Sequence, residues 1–208
     1  MYRQTLIIIL MLLLPYAFLS YAQQTIQGDL TGTLGPGSYV VIGTCRVNTG
    51  DTLRIVPGTV FLHAGHYRWY INGQLIAVGT EEAPIIFSRR DPIPEHRWDG
   101  LWFYSGCEQE SRLEWCQFDN CYSVNFPYDQ GGVVYLGHVS VPISHCTFSD
   151  NYATWGGAIF ADYSDSLVIE YCEFTYNNAG NGGAIYLDHC TDAVIRNCVV
   201  WGNEAEST

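Results

Sequence analysis

One pattern recurs along this chain: CTFSDNYATWGGAIF at residues 146–160 returns as CEFTYNNAGNGGAIY at residues 172–186. Cys116, Cys146, Cys172 and Cys198 stand 30, 26 and 26 residues apart, and Phe118, Phe148, Phe174 and Val200 follow them by two. Asn151, Asn177 and Asn203 lie three residues further on, a position that Cys121 takes in the first copy. Gly131-Gly132, Gly156-Gly157 and Gly182-Gly183 complete the frame. A repeat of this length marks a unit that cannot bury its own apolar face and must stack on its neighbours.

Leu113, Ile143, Ile169 and Ile195 each stand three residues before the repeat cysteine. Side chains alternate along a strand, so an odd interval between two inward residues requires a corner between them. The unit is therefore two or three short strands joined by bends, and coils of about 22–30 residues stack as a parallel β-helix. With 21 glycines and only 14% charged residues, the composition also favours an all-β chain. Coils spaced by one strand, about 4.8 Å, set equivalent residues into ladders. Asn151, Asn177 and Asn203 are predicted to stack amide on amide at a turn whose left-handed backbone Asn tolerates. The glycine pairs mark a bend where a Cβ would clash. The column of Cys116, Cys146, Cys172 and Cys198 holds its Cβ vectors parallel, a poor geometry for a disulfide, so these thiols are expected to stay free and pack as small apolar groups. No cysteine or histidine spacing suits zinc. Cys45, Cys107, Cys121 and Cys190 lie off the column, with Cys107 and Cys121 the candidates for a local bridge.

The elements GGAIF, GGAIY, FSDN and FTYN resemble the repeats of chlamydial polymorphic outer-membrane proteins. GDTLRIVPGTVFLH (residues 50–63), INGQLIAVGTEEAPIIF (71–87) and RWDGLWF (97–103) are similar to the opening coils of secreted bacterial β-helix proteins of the pectin-lyase-like superfamily. The likeness covers most of residues 50–203 and implies a right-handed helix. It also implies a longer protein with a C-terminal sorting or membrane module, so that sequence beyond Thr208 would cover the last coil.

Residues 1–22 have the layout of an export leader: Arg3, an apolar core over residues 6–14, then Ser20-Tyr21-Ala22 before Gln23. The apolar run is too short to span a bilayer, and no transmembrane helix is expected in the mature chain. Residues 23–49, broken by TGTLGPGSY, are expected to cap the helix, and residues 50–208 to form it. Leu53, Ile55, Ile71, Leu75, Ile85 and Phe87 are predicted core, and SRRDPIPEHR (88–97) a surface loop.

A net charge of −12 with no lysine argues against nucleic acid as a partner. Aligned on the glycine pairs, His138, Tyr163 and His189 share a column, flanked by Gly137, Asp162 and Asp188, with Asp165 and Asp192 just beyond. Carboxylates accept hydrogen bonds from sugar hydroxyls and rings stack on sugar faces, which makes Asp162, Tyr163, Asp188, His189 and His138 the ligand-binding candidates. The same acids, Asp162, Asp188 and Asp192, are candidates for calcium, the one cofactor considered. The alternative is a solvated turn, where Asp is frequent for backbone reasons. No residue is nominated as catalytic. The polygalacturonase aspartate motifs are not evident, and in RRDPIPEHR the resemblance to a pectate-lyase Arg-x-Pro-x-x-Arg motif fails at Glu95. The expectation is thus an exported, cell-surface recognition or adhesion module for polysaccharide or a neighbouring surface. A polysaccharide lyase or glycoside hydrolase of this fold is the rival, and a passive spacer in a larger protein the third alternative.

Overall fold

The computed structural model describes residues 24–107, 110–124 and 131–206, so the expected leader lies outside the described residues. Among these residues every named pairing of strands is parallel, and the one helical element is a 3₁₀ turn, Pro94–His96. The chain is a β-helix whose strands stack into four faces.

An isoleucine face runs Thr52–Ile55, Gln74–Val78, Arg112–Glu114, Ile143–Ser144, Val168–Glu170 and Val194–Arg196. A phenylalanine face follows it around the corner: Thr59–His63, Ile85–Arg89, Cys116–Asp119, Thr147–Ser149, Glu173–Thr175 and Val199–Trp201. Next comes a short face, Tyr122–Ser123, Tyr152–Trp155, Asn178–Asn181 and Glu204–Ala205. A closing face completes the turn with Trp69–Ile71, Leu101–Tyr104, Val134–Gly137, Ile159–Asp162 and Ile185–Asp188. The later coils therefore carry four strands, one more than the sequence pattern predicts. The apolar alternation in YATW and NAGN is too weak to announce a strand. At the other end, Gly37–Val47 pairs with Thr59–His63 through its first half and with Trp69–Ile71 through its second. One strand thus serves two faces, and Gln24–Asp29 lies along it.

Register is held by the side chains inside. Tyr39, Phe61, Phe87, Phe118, Phe148 and Phe174 stack one per coil, with ring centroids 5.6, 4.8, 5.2, 5.0 and 4.9 Å apart. Each buried Phe contributes about 1.5–3 kcal/mol by leaving water, and each ring pair about 0.5–1.5 kcal/mol more. Leu53, Ile55, Ile71, Leu75, Ile85 and Phe87 are all buried.

The corners have a common construction. Trp115, His145, Tyr171 and Asn197 stand in the left-handed region (φ 51–55°) between the isoleucine and phenylalanine faces, where the three-residue interval demands a bend. Asn120, Asp150 and Tyr176 do so at the next corner, and His138, Tyr163 and His189 after the closing face. The left-handed residue is thus the one before each ladder asparagine, not the asparagine itself. At Cys116, Cys146, Cys172, Asn151, Asn177, Ser164 and Cys190 the residue after such a corner carries a small donor that takes up a carbonyl of the coil before, whereas Val139, after His138, carries none. Asn177 Nδ2 donates to Phe148 O (2.9 Å) and to Asn203 Oδ1 (2.9 Å), and Asn151 Nδ2 to Phe118 O (3.2 Å) and Asn177 Oδ1 (2.9 Å). Cys172 Sγ reaches Ile143 O and Glu170 O at 3.8 and 3.2 Å. Ser164 Oγ and Cys190 Sγ repeat the arrangement at the third corner. The asparagine ladder ends where Cys121 replaces Asn: its N–H still binds Asn151 Oδ1, at 2.9 Å. At the fourth bend, Gly156 needs its positive φ, and a Cβ on Gly157 would run into the carbonyl of Gly183 one coil away.

His63 is fully buried, its Nδ1–H donating to Ser88 O (2.9 Å) and its Nε2 accepting from Trp69 Nε1 (3.1 Å), with the ring stacked 4.6 Å from Trp98. Burial lowers its pKa from 6.5 to about 3, against a smaller opposing effect of the Ser88 carbonyl.

Two outcomes follow from this packing. Asn177→Ala strands the Phe148 carbonyl and the Asn151 amide in the interior, and is expected to lose about 2–4 kcal/mol in urea unfolding. His63 binds its proton from pH 6.5 downward in the unfolded chain but only near pH 3 in the fold. Stability therefore falls as pH drops through that window, by about 2.5 kcal/mol between pH 7 and 4.5. Unfolding curves of His63→Gln should lack that part of the slope; an unchanged slope would remove His63 as its source.

Candidate functional site

Gly137, Asp162 and Asp188 are in register on adjacent strands of the closing face, and His138, Tyr163 and His189 follow them at the corner. The three rings are nearly parallel: His138 to Tyr163 is 5.1 Å at 8°, Tyr163 to His189 is 4.5 Å at 3°. A left-handed backbone costs a Tyr on the order of 1–2 kcal/mol, which ring stacking offsets in part. Tyr163 is half exposed, and His189 Nδ1 lies 2.8 Å from Asp188 Oδ1. Asp162, Asp188 and His189 can bring one ligand atom each within 4.8 Å of one another. The structure thus gathers all five ligand-binding candidates on one ridge.

The ridge differs from the expectation in what its rings can do. Their faces are turned to one another, which leaves edges, the Tyr163 hydroxyl, imidazole nitrogens and carboxylates to meet a ligand. Asp165 is committed elsewhere: its Oδ1 accepts from Thr191 N (2.8 Å) and Oγ1 (2.6 Å), and the Thr191 bonds hold its carboxyl below the ordinary range. Asp192 is a left-handed corner residue outside the three-residue cluster. At Gly137 the place of a third carboxylate is filled by the Tyr135 ring, whose hydroxyl pKa is raised by burial and by Asp162.

Glycoside hydrolysis by paired carboxyls requires them to flank the scissile bond. Asp162 and Asp188 instead project side by side from neighbouring rungs of one ridge, and neither lines the groove of about 490 Å³ found elsewhere on the molecule. That groove lies on the corner between the phenylalanine and short faces. Its walls include Arg89, at the end of the strand Ile85–Arg89, and Arg97, the last residue of the segment that reads in sequence as a surface loop. A second outer ladder, Trp115–His145–Tyr171 with centroids 4.4 and 5.0 Å apart, is likewise invisible to an alignment on the glycine pairs. Its signal is an aromatic or His immediately before the first three repeat cysteines, a place that Asn197 takes before Cys198.

None of the eight cysteines is in a disulfide. The local bridge expected between Cys107 and Cys121 is not formed: Cys107 Sγ meets Ser111 Oγ and Cys121 Sγ donates to Gly132 O. Burial pushes the Cys45 thiol up to about 12 and those of Cys121 and Cys146 well above their ordinary value.

Parallel strands coiled around ladders of identical residues define a β-helix protein. The family model for the right handed beta helix region matches residues 93–207, and the chain belongs to that family. No curated protein matches it. A solved structure similar to this chain is that of a protein from Parabacteroides merdae ATCC 43184, provisionally described as a glycosyl hydrolase. The two are 12% identical, with 86% of this chain and 84% of that one covered at a TM-score of 0.41, and the likeness says nothing about activity. No helix among the described residues is long and apolar enough to cross a membrane.

The thiols offer a direct check. Iodoacetamide at pH 8 should spare Cys45, Cys107, Cys116, Cys121, Cys146 and Cys172 in the folded protein and modify only the partly exposed Cys190 and Cys198, with full labelling in denaturant.

Proposed function

We propose that this protein is an exported recognition module that binds a polyhydroxylated ligand, a glycan on a neighbouring surface, along the ridge of Asp162, Tyr163, Asp188, His189 and His138. The observation that carries this reading is the register of Asp162 with Asp188, which sets two carboxylates one coil apart beside a rigid ring stack. A pair of fixed acceptors at that spacing suits the hydroxyls of a sugar chain lying across the coils. The export leader and an acidic surface support a location outside the cell.

Calcium is a weaker supplement to this reading. Two carboxylates and an imidazole already bonded to one of them are a thin set for an ion that takes six to eight oxygens. Binding is expected to be little changed by chelator.

The test follows binding and product release together on a polysaccharide panel, with and without calcium. The expected result is binding without new reducing ends, weakened about tenfold by Asp162→Ala or Asp188→Ala, the loss of one charge-assisted hydrogen bond. New reducing ends or unsaturated products would replace this reading with that of an enzyme. No binding to any member would leave the fold as a spacer.

A further inference from the structure

The groove between the phenylalanine and short faces is a different kind of place from the ridge. Four of the arginines are matched to carboxylates: Arg68 with Asp99, Arg90 with Asp91, Arg112 with Glu114 and Arg196 with Glu170. Arg46, Arg54, Arg89 and Arg97 make no ion pair among the described residues, and of these Arg89 and Arg97 line this groove of about 490 Å³. Arg97 is fixed there. Trp98, the next residue, is buried in the core, its backbone bridging to Cys121 and its indole donating to Asp119 O at 2.8 Å. The Arg97 guanidinium stands 5.0 Å from the Tyr122 ring centre and spends one Nη2–H on Asp150 O at 3.0 Å. Its Nε is buried without an acceptor, as is Asn178 Oδ1 without a donor, among the described residues.

Burial draws the Arg97 pKa below its ordinary value, and the neighbouring Arg89 charge acts in the same direction. The guanidinium nevertheless stays charged at neutral pH. Two cations held near each other are costly unless an anion joins them. Asn120, Asp150 and Tyr176, corner residues of three successive coils, also line it, as do Tyr152 and Asn178. Asp150 offsets one of the two positive charges and offers an acceptor to a hydroxyl.

We propose that this groove binds a small ligand through one compact oxyanion group, a carboxylate, sulfate or phosphate, held by Arg89 and Arg97 and flanked by the polar groups of Asn120, Asn178 and Tyr176. A polyanion is disfavoured, because a chain of net charge −12 repels every charge that extends beyond the groove. The site shares no residue with the ridge and does not rest on the glycan reading.

The experiment titrates the purified protein with sodium sulfate, phosphate and acetate against sodium chloride at matched ionic strength, by calorimetry and by chemical shifts of the arginine side chains. At least one oxyanion is expected to bind saturably, with chloride at least tenfold weaker. Which of the three binds best identifies the carboxylate, sulfate or phosphate as the group recognised. Arg89→Gln, which removes no bond seen among the described residues, should fold normally and weaken binding at least tenfold. Arg97→Gln should do the same where its thermal unfolding matches the parent, and Asp162→Ala should leave anion binding unchanged. Equal binding of chloride, affinity untouched by Arg89→Gln, tighter binding of a polyanion such as heparin, or no saturable binding would each overturn the proposal.

Discussion

Each corner of this helix leaves a strand-end carbonyl without the partner that a straight ladder would have supplied, and the whole coil depends on how that carbonyl is satisfied. The solution is the same three times: a residue in the left-handed region turns the chain, and the next residue brings in a short donor. Asn serves at one corner, Cys at another, Ser164 and Cys190 at the third. The amide is the strongest of these because it also takes a partner in the next coil, so the asparagine ladder joins each coil to both neighbours where a thiol reaches only the coil before. The cysteines are then structural for a reason beyond size. A weak S–H donor reaches a carbonyl of the coil before, Leu113 O at 3.6 Å from Cys146 and Ile143 O at 3.8 Å from Cys172, a contact that an apolar residue of similar volume could not make.

That construction accounts for what the sequence discloses. Residues that must match their equivalents one coil away, Phe118, Phe148 and Phe174 or Asn151, Asn177 and Asn203, recur at a fixed interval, and the interval alone yields the solenoid and its inward columns. The bend between Ile143 and Cys146 follows from parity. The short face is hidden because YATW and NAGN face inward only through Ala153 and Ala179, and alanine carries little apolar signal. The left-handed residues are hidden for another reason. Asn120, Asp150 and Asn197 announce such a backbone, but at other corners this chain uses Trp115, His145, Tyr163 and Tyr171, and stacking across coils offsets part of the local cost.

The candidate sites differ in legibility in the same way. The ridge lies on the repeat, so alignment on the glycine pairs collects all five of its residues. The groove joins Arg97, delivered by an excursion between two strands, to corner residues of three coils. No periodicity links position 97 to position 150. Only the anchoring of Trp98 against Cys121 and His63 brings the loop back to the wall.

The two places also sort by charge. Side chains at outer corners sit within one strand spacing of their equivalents, so like charges at every rung would repel along the column. The ridge tolerates Asp162 beside Asp188 because His189 is bonded to the latter and Gly137 interrupts the column one coil earlier. The groove tolerates Arg89 near Arg97 because Asp150 lies in the same wall and the Tyr122 ring stands against the guanidinium. In both places the β-helix holds like charges near one another. A ligand of opposite charge, or one with hydroxyls to donate, would stabilise them more than water does.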